Sequence, residues 1–200
     1  MFHDALVPFA ERRIIYMKKI KKIFIMMLCL FLAFLLVGGS EKVSAVGKDI
    51  TNVFTDKEKI KKLNYEFRDM LGYYVCETLE IGESKLFDFS KKKSRQEAIK
   101  FAYWKHGKLN ASAQDKLSKQ LFGMGVTKIE QKIGDWGCSH PVLKISKIYK
   151  MSAKQYQIKL NIYMEDDDGG REEMGTAIIF VKKNMKAKYG YYVRKIKVSR

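Results

Sequence analysis

The stretch KQYQIKLNIYM (residues 154–164) alternates apolar and polar side chains without interruption from residue 155 to residue 162. Its apolar positions are Tyr156, Ile158, Leu160, Ile162 and Met164, and its polar positions are Gln155, Gln157, Lys159 and Asn161. Successive side chains of a strand point to opposite faces of the sheet. The pattern therefore predicts a β-strand with one buried and one solvated face.

Further strands are predicted on both sides of this one. The segment MGTAIIFVKK (174–183) is more apolar, which predicts a central strand covered on both faces. Between the two strands, Asp168-Gly169 suits a hairpin turn. Upstream, PVLKISKIYKM (141–151) predicts another strand, and VTKIEQKI (126–133) is a candidate for one more.

The last strand, YGYYVRKIKV (189–198), changes its alternation partway along. Its apolar phase slips between Val193 and Ile196. One extra residue in a strand produces such a slip, so a β-bulge near Arg194–Lys195 is predicted.

Helical spacing dominates the region before these strands. TDKE (55–58) is a capping box that opens an amphipathic helix running to about Leu79, with Glu66 and Asp69 assigned to its polar face. SRQE (94–97) is a second capping box, and its helix ends before Gly107. A third helix is predicted from residue 112 to 122, where Gly123 ends it.

Helices followed by an antiparallel meander predict an α+β fold, with N-terminal helices packed on a bent sheet of about four to five strands. This order of elements, from the capped helix at 55–79 to the strands at 141–198, resembles the NTF2-like (cystatin-like) superfamily. The resemblance covers most of residues 55–200. It implies helices on the concave side of the sheet, enclosing a pocket.

The N-terminal region has the layout of an export signal. Lysines at 18, 19, 21 and 22 precede the uncharged run Ile23–Val37, and Val43-Ser44-Ala45 offers small residues for cleavage between Ala45 and Val46. A membrane-spanning helix needs about 20 apolar residues, with a lower limit near 17. Counting on to Gly39 reaches that limit, so a retained anchor stays an alternative.

These features divide the chain into four parts. Residues 1–16 are interpreted as an upstream extension from a mis-assigned start, 17–45 as a signal peptide or signal anchor, 46–54 as a linker, and 55–200 as a single α+β domain. The expected location is secreted or associated with a bacterial cell envelope. The alternative is a single-pass membrane protein.

The chain is strongly basic, with a formal net charge of +17. This charge predicts weak attraction to an anionic wall polymer or lipid. All but seven of the 39 basic residues are lysine, whereas arginine is the residue that grips phosphate with a bidentate fork. No zinc-finger spacing or RNA-recognition motif is present, so specific nucleic-acid binding is not expected.

The segment DWGCSHP (135–141) holds the candidate catalytic residues Cys138, His140 and Asp135. A thiol nucleophile needs a base within hydrogen-bond reach and a third group that orients the base. The competing interpretation is a tight turn with a buried Cys138. Cys76 and Cys138 either form one disulfide or remain two thiols. Among these cysteines and the histidines, only the Cys138-x-His140 pair has a zinc-ligand spacing, which is weak evidence, so neither a metal nor another cofactor is expected.

Aromatic residues supply the candidate ligand pocket, which competes with plain core packing. They are Tyr74, Tyr103, Trp104, Tyr156, Tyr163 and Tyr191. The sequence favours a non-enzymatic domain that binds a small ligand or a protein. One alternative is a membrane-anchored NTF2-like component of a conjugation or secretion channel. Some single-pass components of such channels resemble this plan, with one membrane helix followed by an NTF2-like domain outside. The other is a hydrolase or transferase that uses Cys138 and His140.

Overall fold

One antiparallel sheet organises the chain in the computed structural model, which describes residues 47–131, 141–165 and 168–200. Its strands are β1 (Lys48–Asp49), β2 (Ser84–Asp88), β3 (Val142–Lys150), β4 (Gln155–Glu165), β5 (Arg171–Lys183) and β6 (Tyr191–Ser199). Their order across the sheet is β1-β3-β4-β5-β6-β2. The strands β3 to β6 therefore form a continuous meander, with β1 and β2 at its two edges.

Five α-helices and one π-helical turn accompany the sheet in the described residues. They are α1 (Lys57–Tyr65), α2 (Arg68–Tyr73), the π-helical turn Tyr74–Thr78, α3 (Lys92–Phe101), α4 (Tyr103–His106) and α5 (Ala111–Phe122). Asn110 caps α5 by accepting a hydrogen bond from the backbone of Ala113. Gly123 ends α5 with a φ of 77°, a conformation that favours glycine.

The α+β class is confirmed, but the sheet is larger than expected. Six strands are present among the described residues, and β1 and β2 are the two that extend the meander. Because β2 lies between α2 and α3, the helices do not all precede the sheet. The segment SKLFD is a weak strand signal because it has five residues and buries only Phe87, while Leu86 is 52% exposed.

The alternation in residues 155–164 correctly predicts β4. Ile158, Leu160 and Ile162 are fully buried on one face. The prediction that β5 is central is also confirmed, since it lies between β4 and β6. Its second face is less covered than expected, because Ile178 and Phe180 are only half-buried.

The predicted bulge in β6 is confirmed at Arg194. Phe180 of β5 pairs with Lys195, and the next residue, Val181, pairs with Val193. Arg194 is therefore the extra residue. In contrast, residues 126–131 of the candidate strand VTKIEQKI form no strand.

The predicted helix over 55–79 is broken into α1, α2 and the π-helical turn. It begins at Lys57 after Asp56, and no side-chain cap from Thr55 is formed. The helix predicted to start at the second capping box is α3. It begins at Lys92, so Ser94 lies inside it instead of capping it. In both cases tertiary contacts override the local pattern, because Asp56 and Arg95 bind side chains and carbonyls elsewhere in the fold.

Helices and sheet share one hydrophobic core. At its centre Phe89 stacks on Phe122 with ring centroids 4.3 Å apart, and Phe67 lies 6.0 Å from each. The described residues fall in one compact unit that spans Ala45–Arg200. Within them, no helix combines the length and apolarity needed to cross a bilayer. The apolar run Ile23–Val37 lies outside the described residues.

Candidate functional site

The break between α1 and α2 turns a carboxylate inward. Glu66 follows the last residue of α1, and its side chain is 1% exposed. The sequence-based assignment of Glu66 and Asp69 to the polar face is wrong, since both are buried. The spacing could have indicated this burial. Glu66 lies three residues after Leu63 and four before Met70, which places all three on one side of a helix.

Four donors converge on the Glu66 carboxylate. Lys105 and Lys188 each place Nζ 3.0 Å from Oε1, and the Tyr189 hydroxyl donates to the same oxygen. Nε2 of His106 lies 2.7 Å from Oε2. These five residues are called the Glu66 cluster. It joins the α1–α2 break to α4, which supplies Lys105 and His106, and to the β5–β6 turn, which supplies the other two.

The donors decide the protonation state of the cluster. Burial by itself opposes the charged form of Glu66, but the hydrogen bonds from Tyr189, His106 and the two lysines outweigh it. Together they lower the pKa of Glu66 to about 2 from its ordinary 4.5. Burial, together with the Glu66 carboxylate, raises the pKa of Tyr189. At neutral pH the cluster therefore holds an ionised carboxylate and a neutral phenol.

The chemistry available to the cluster follows from this state. An ionised carboxylate can only accept hydrogen bonds, so His106 carries a hydrogen on Nε2. Nucleophilic catalysis would also need a hydroxyl or thiol against the imidazole. In the described part of the chain, His106 makes no hydrogen bond to a Ser or Thr hydroxyl. With Glu66 as the shared acceptor, the Glu66 cluster is an electrostatic junction around one buried carboxylate that links three elements.

Two predicted pocket residues use their hydroxyls in similar contacts. Tyr191 donates to Oδ2 of Asp56 at 2.7 Å, and Tyr74 donates to Oε1 of Glu97 at 3.1 Å. Lys85 in turn places Nζ 3.2 Å from the Tyr74 hydroxyl. Burial, and secondarily the neighbouring carboxylate, raises the pKa of both tyrosines. Both phenols are neutral and already hydrogen-bonded within the protein.

The remaining pocket candidates lie in three places. Tyr156 meets Tyr191 with ring centroids 5.9 Å apart, so these two are brought together. Tyr103 and Trp104 form a separate T-shaped pair at 6.1 Å. The Tyr163 hydroxyl accepts a hydrogen bond from Asn161 on the side of the sheet away from the core. The six-residue ligand pocket stays a prediction.

Two surface depressions accompany these contacts. One of about 350 Å³ lies beside β1 and the bulge in β3, and is lined by Asp49, Ile50, Thr51, Asn52, Val53, Ser146 and Lys147. The other, of about 370 Å³, is lined by Ser112, Asp115, Lys116, Lys119, Gln120, Lys186 and Tyr192. Neither contains any of the six aromatic candidates.

Several sequence-based candidates lie outside the described residues. They are the catalytic candidates Cys138, His140 and Asp135 and the cleavage site between Ala45 and Val46. Cys76 is half-buried in the π-helical turn and packs against the core, so its disulfide with Cys138 stays a prediction. No group of three or more His, Cys, Asp or Glu residues suited to a metal ion occurs within ranges 47–131, 141–165 and 168–200.

The side of the sheet opposite the core is rich in lysine. Lys159 lies between the buried Ile158 and Leu160, so its side chain projects away from the core. We call this side of the sheet the outer face. By the same alternation and by the strand pairing, its central residues are Lys147, Lys159, Ile178, Phe180, Lys195 and Lys197. Lys147 and Lys197 are exposed, and the other four are half-buried. The outer face is thus accessible and carries positive charge beside apolar side chains.

No family model matches this chain, and comparison with curated proteins and with solved structures gives no significant match.

Proposed function

We propose that this chain is an exported, non-enzymatic protein of a bacterial cell envelope, whose NTF2-like domain binds a ligand or a protein partner. The export signal at residues 17–45 supports the location. An antiparallel sheet that carries helices against one face agrees with the arrangement implied by the NTF2-like resemblance.

The accessible outer face is the observation that carries the binding role. Antiparallel sheets often leave one face solvated, and the residues that each strand directs to such a face are usually polar. Here Ile178 and Phe180 lie among lysines at the centre of the sheet and are only half-buried. An apolar strip rimmed by charge is the composition of a surface that receives a partner.

The hydrogen bonds of three carboxylates within the fold support a structural use of these groups. The carboxylates of Glu66, Asp56 and Glu97 each accept a hydrogen bond from a tyrosine hydroxyl. These contacts hold elements of the fold together. A hydrolytic or transfer activity that disappears in Cys138→Ala would contradict this proposal and favour the enzyme alternative.

Expression from Met17 in a Gram-positive host tests the location. We expect the recovered protein to begin at Val46 and to occur in the medium or the wall, because signal peptidases cut after small residues. N-terminal sequencing and cell fractionation measure this. In the matched control Ala45→Phe, a bulky residue replaces the small one, so cleavage should fail and the apolar run should hold the protein in the membrane.

A membrane-anchored channel component remains the second candidate. It is favoured by the apolar run, which reaches the lower limit for a membrane span when counted to Gly39. Uncleaved wild-type protein in the membrane, co-purifying with other membrane proteins of a conjugation or secretion channel, would favour it over the cleaved form.

A further inference from the structure

The pairing of β3 with β4 places two lysines directly opposite each other. Lys147 faces Lys159 across the strands, on the outer face. Like charges at directly opposed positions destabilise a sheet. The bulge at Ser146 creates this alignment, because it shifts the register between Ile145 and Lys147. The fold therefore accepts a local electrostatic cost at this point.

The opposed pair continues as a row across the sheet. Lys159 pairs with Ile178 of β5, and Ile178 pairs with Lys197 of β6. We call Lys147, Lys159, Ile178 and Lys197 the lysine row. Neighbouring strands lie about 4.8 Å apart, so the row spans about 14 Å at its base. Three positive charges and one apolar side chain thus follow a line perpendicular to the strands.

Among the described residues, the charges of the row lack acidic partners at ion-pair distance. None of its lysines forms an ion pair within the described ranges. Asp49 is near enough to Lys147 to attract it, yet its Oδ1 accepts hydrogen bonds from the backbone and hydroxyl of Thr51. The row therefore retains a positive potential that an external anion can neutralise.

We propose that the lysine row is the docking site of a linear polyanion that carries phosphate groups along its chain, of the kind found in bacterial wall polymers. The proposal rests on the proposed export, because such polymers lie outside the cytoplasmic membrane. A linear chain crossing the strands meets Lys147, Lys159 and Lys197 in turn. Binding of phosphate groups would offset the repulsion between the opposed lysines.

The geometry favours this partner over two other polyanions. A membrane surface is best met by charges spread over a plane and by protruding apolar side chains. Here three of the four lysines that define the outer face follow a line, Lys195 lies beside it, and Ile178 is half-buried within the row. A nucleic acid would be expected to meet arginines and exposed aromatic rings that stack on bases. The row contains neither.

Binding to immobilised poly(glycerol phosphate) tests the row. The exported product of the full chain, purified in mild detergent, is compared with the triple variant Lys147→Glu/Lys159→Glu/Lys197→Glu. We expect affinity to fall about tenfold or more at moderate salt, because three phosphate contacts are lost and counterion release weakens accordingly. The matched control Lys62→Glu/Lys93→Glu/Lys108→Glu carries the same charge change at exposed positions outside the sheet, and should bind nearly as wild type does.

A single variant separates lost binding from lost folding. Lys159→Glu converts the opposed like-charge pair with Lys147 into an opposite-charge pair. We expect it to raise the urea midpoint of unfolding while weakening binding. A merely structural role for Lys159 would move both measurements in the same direction.

The remaining outcomes are decisive as well. Equal losses in the row and control variants would overturn the proposal, since binding would then follow net charge alone. Stronger competition by phosphatidylglycerol mixed micelles or duplex DNA, at matched phosphate concentration, would also overturn it. Export without row-dependent binding would leave the proposed function standing and remove only this partner. Row-dependent binding by a protein retained in the cytoplasm would contradict the proposed export and, with it, the wall polymer as partner, while the row would stand as a site for phosphate chains.

Discussion

Replacing Glu66 with glutamine should lower the free energy of unfolding by about 3 kcal/mol at neutral pH. This loss follows from the pKa of Glu66, which falls from 4.5 to about 2 on folding and so favours the ionised form in the native state. Losing one partner of a buried ion pair typically costs about 3–5 kcal/mol. The loss should lie near the lower end, because Lys105 and Lys188 are partly exposed and can turn to water.

The same residue should shape the acid limb of the stability curve. Because the folded pKa of Glu66 is lower than its unfolded value, its contribution is complete above about pH 4.5 and is lost as the pH falls toward about 2. The gap in unfolding free energy between wild type and Glu66→Gln should therefore shrink over that interval. Urea unfolding followed by circular dichroism at several pH values measures it.

Glu58, in the first turn of α1, offers a matched control. Its Oε1 lies 2.7 Å from Nζ of Lys61, but both side chains are mostly exposed. Exposed ion pairs contribute little to stability, because water and salt screen them. Glu58→Gln should therefore change stability little, with a much smaller pH dependence than Glu66→Gln. If the two variants behaved alike, the Glu66 cluster would not be the junction inferred here.

The sheet was predictable where the information is local. The alternation at Ile158, Leu160 and Ile162 identifies β4 because one face of that strand meets the core along its length. The phase slip in β6 identifies the bulge at Arg194 for the same reason. For the edge strand β2 the sequence predicts only an irregular or short-strand connection, because Phe87 is its single buried residue and too little alternation exists to recognise.

The candidate site depended on information that is not local. Glu66 meets Lys188 and Tyr189 across more than 120 positions, and a single helical pattern does not reveal such partners. The pairing of Lys147 with Lys159 requires the β3–β4 register and the bulge that shifts it. Both features break a local rule, one by burying a charge and the other by opposing like charges. Such conflicts are resolved only by tertiary structure or by a partner.

Replacing Arg95 with methionine should cost about 3 kcal/mol. Arg95 is buried, and its Nη1 donates to the carbonyls of Phe89 and Ser90 at 2.8 Å, while Nε donates to that of Gly125 at 3.1 Å. Methionine preserves most of the packing volume but leaves three carbonyls without this donor. Each unsatisfied buried group costs about 1–3 kcal/mol, and the partly exposed ones can recruit water.

The loss should be concentrated in the segment that Arg95 ties to α3. Gly125 is followed by Val126 and Ile129, whose amides donate to Asp115 and Gln114. Without the guanidinium these amides should exchange with solvent faster, as hydrogen exchange can measure. Lys93→Met, at an exposed position of the same helix, is the control and should change stability by less than about 0.5 kcal/mol. Unchanged exchange in Arg95→Met, together with wild-type stability, would show that the three carbonyls are satisfied without it. Faster exchange confined to these amides would instead assign Arg95 the role of holding the segment that leads toward Cys138 and His140.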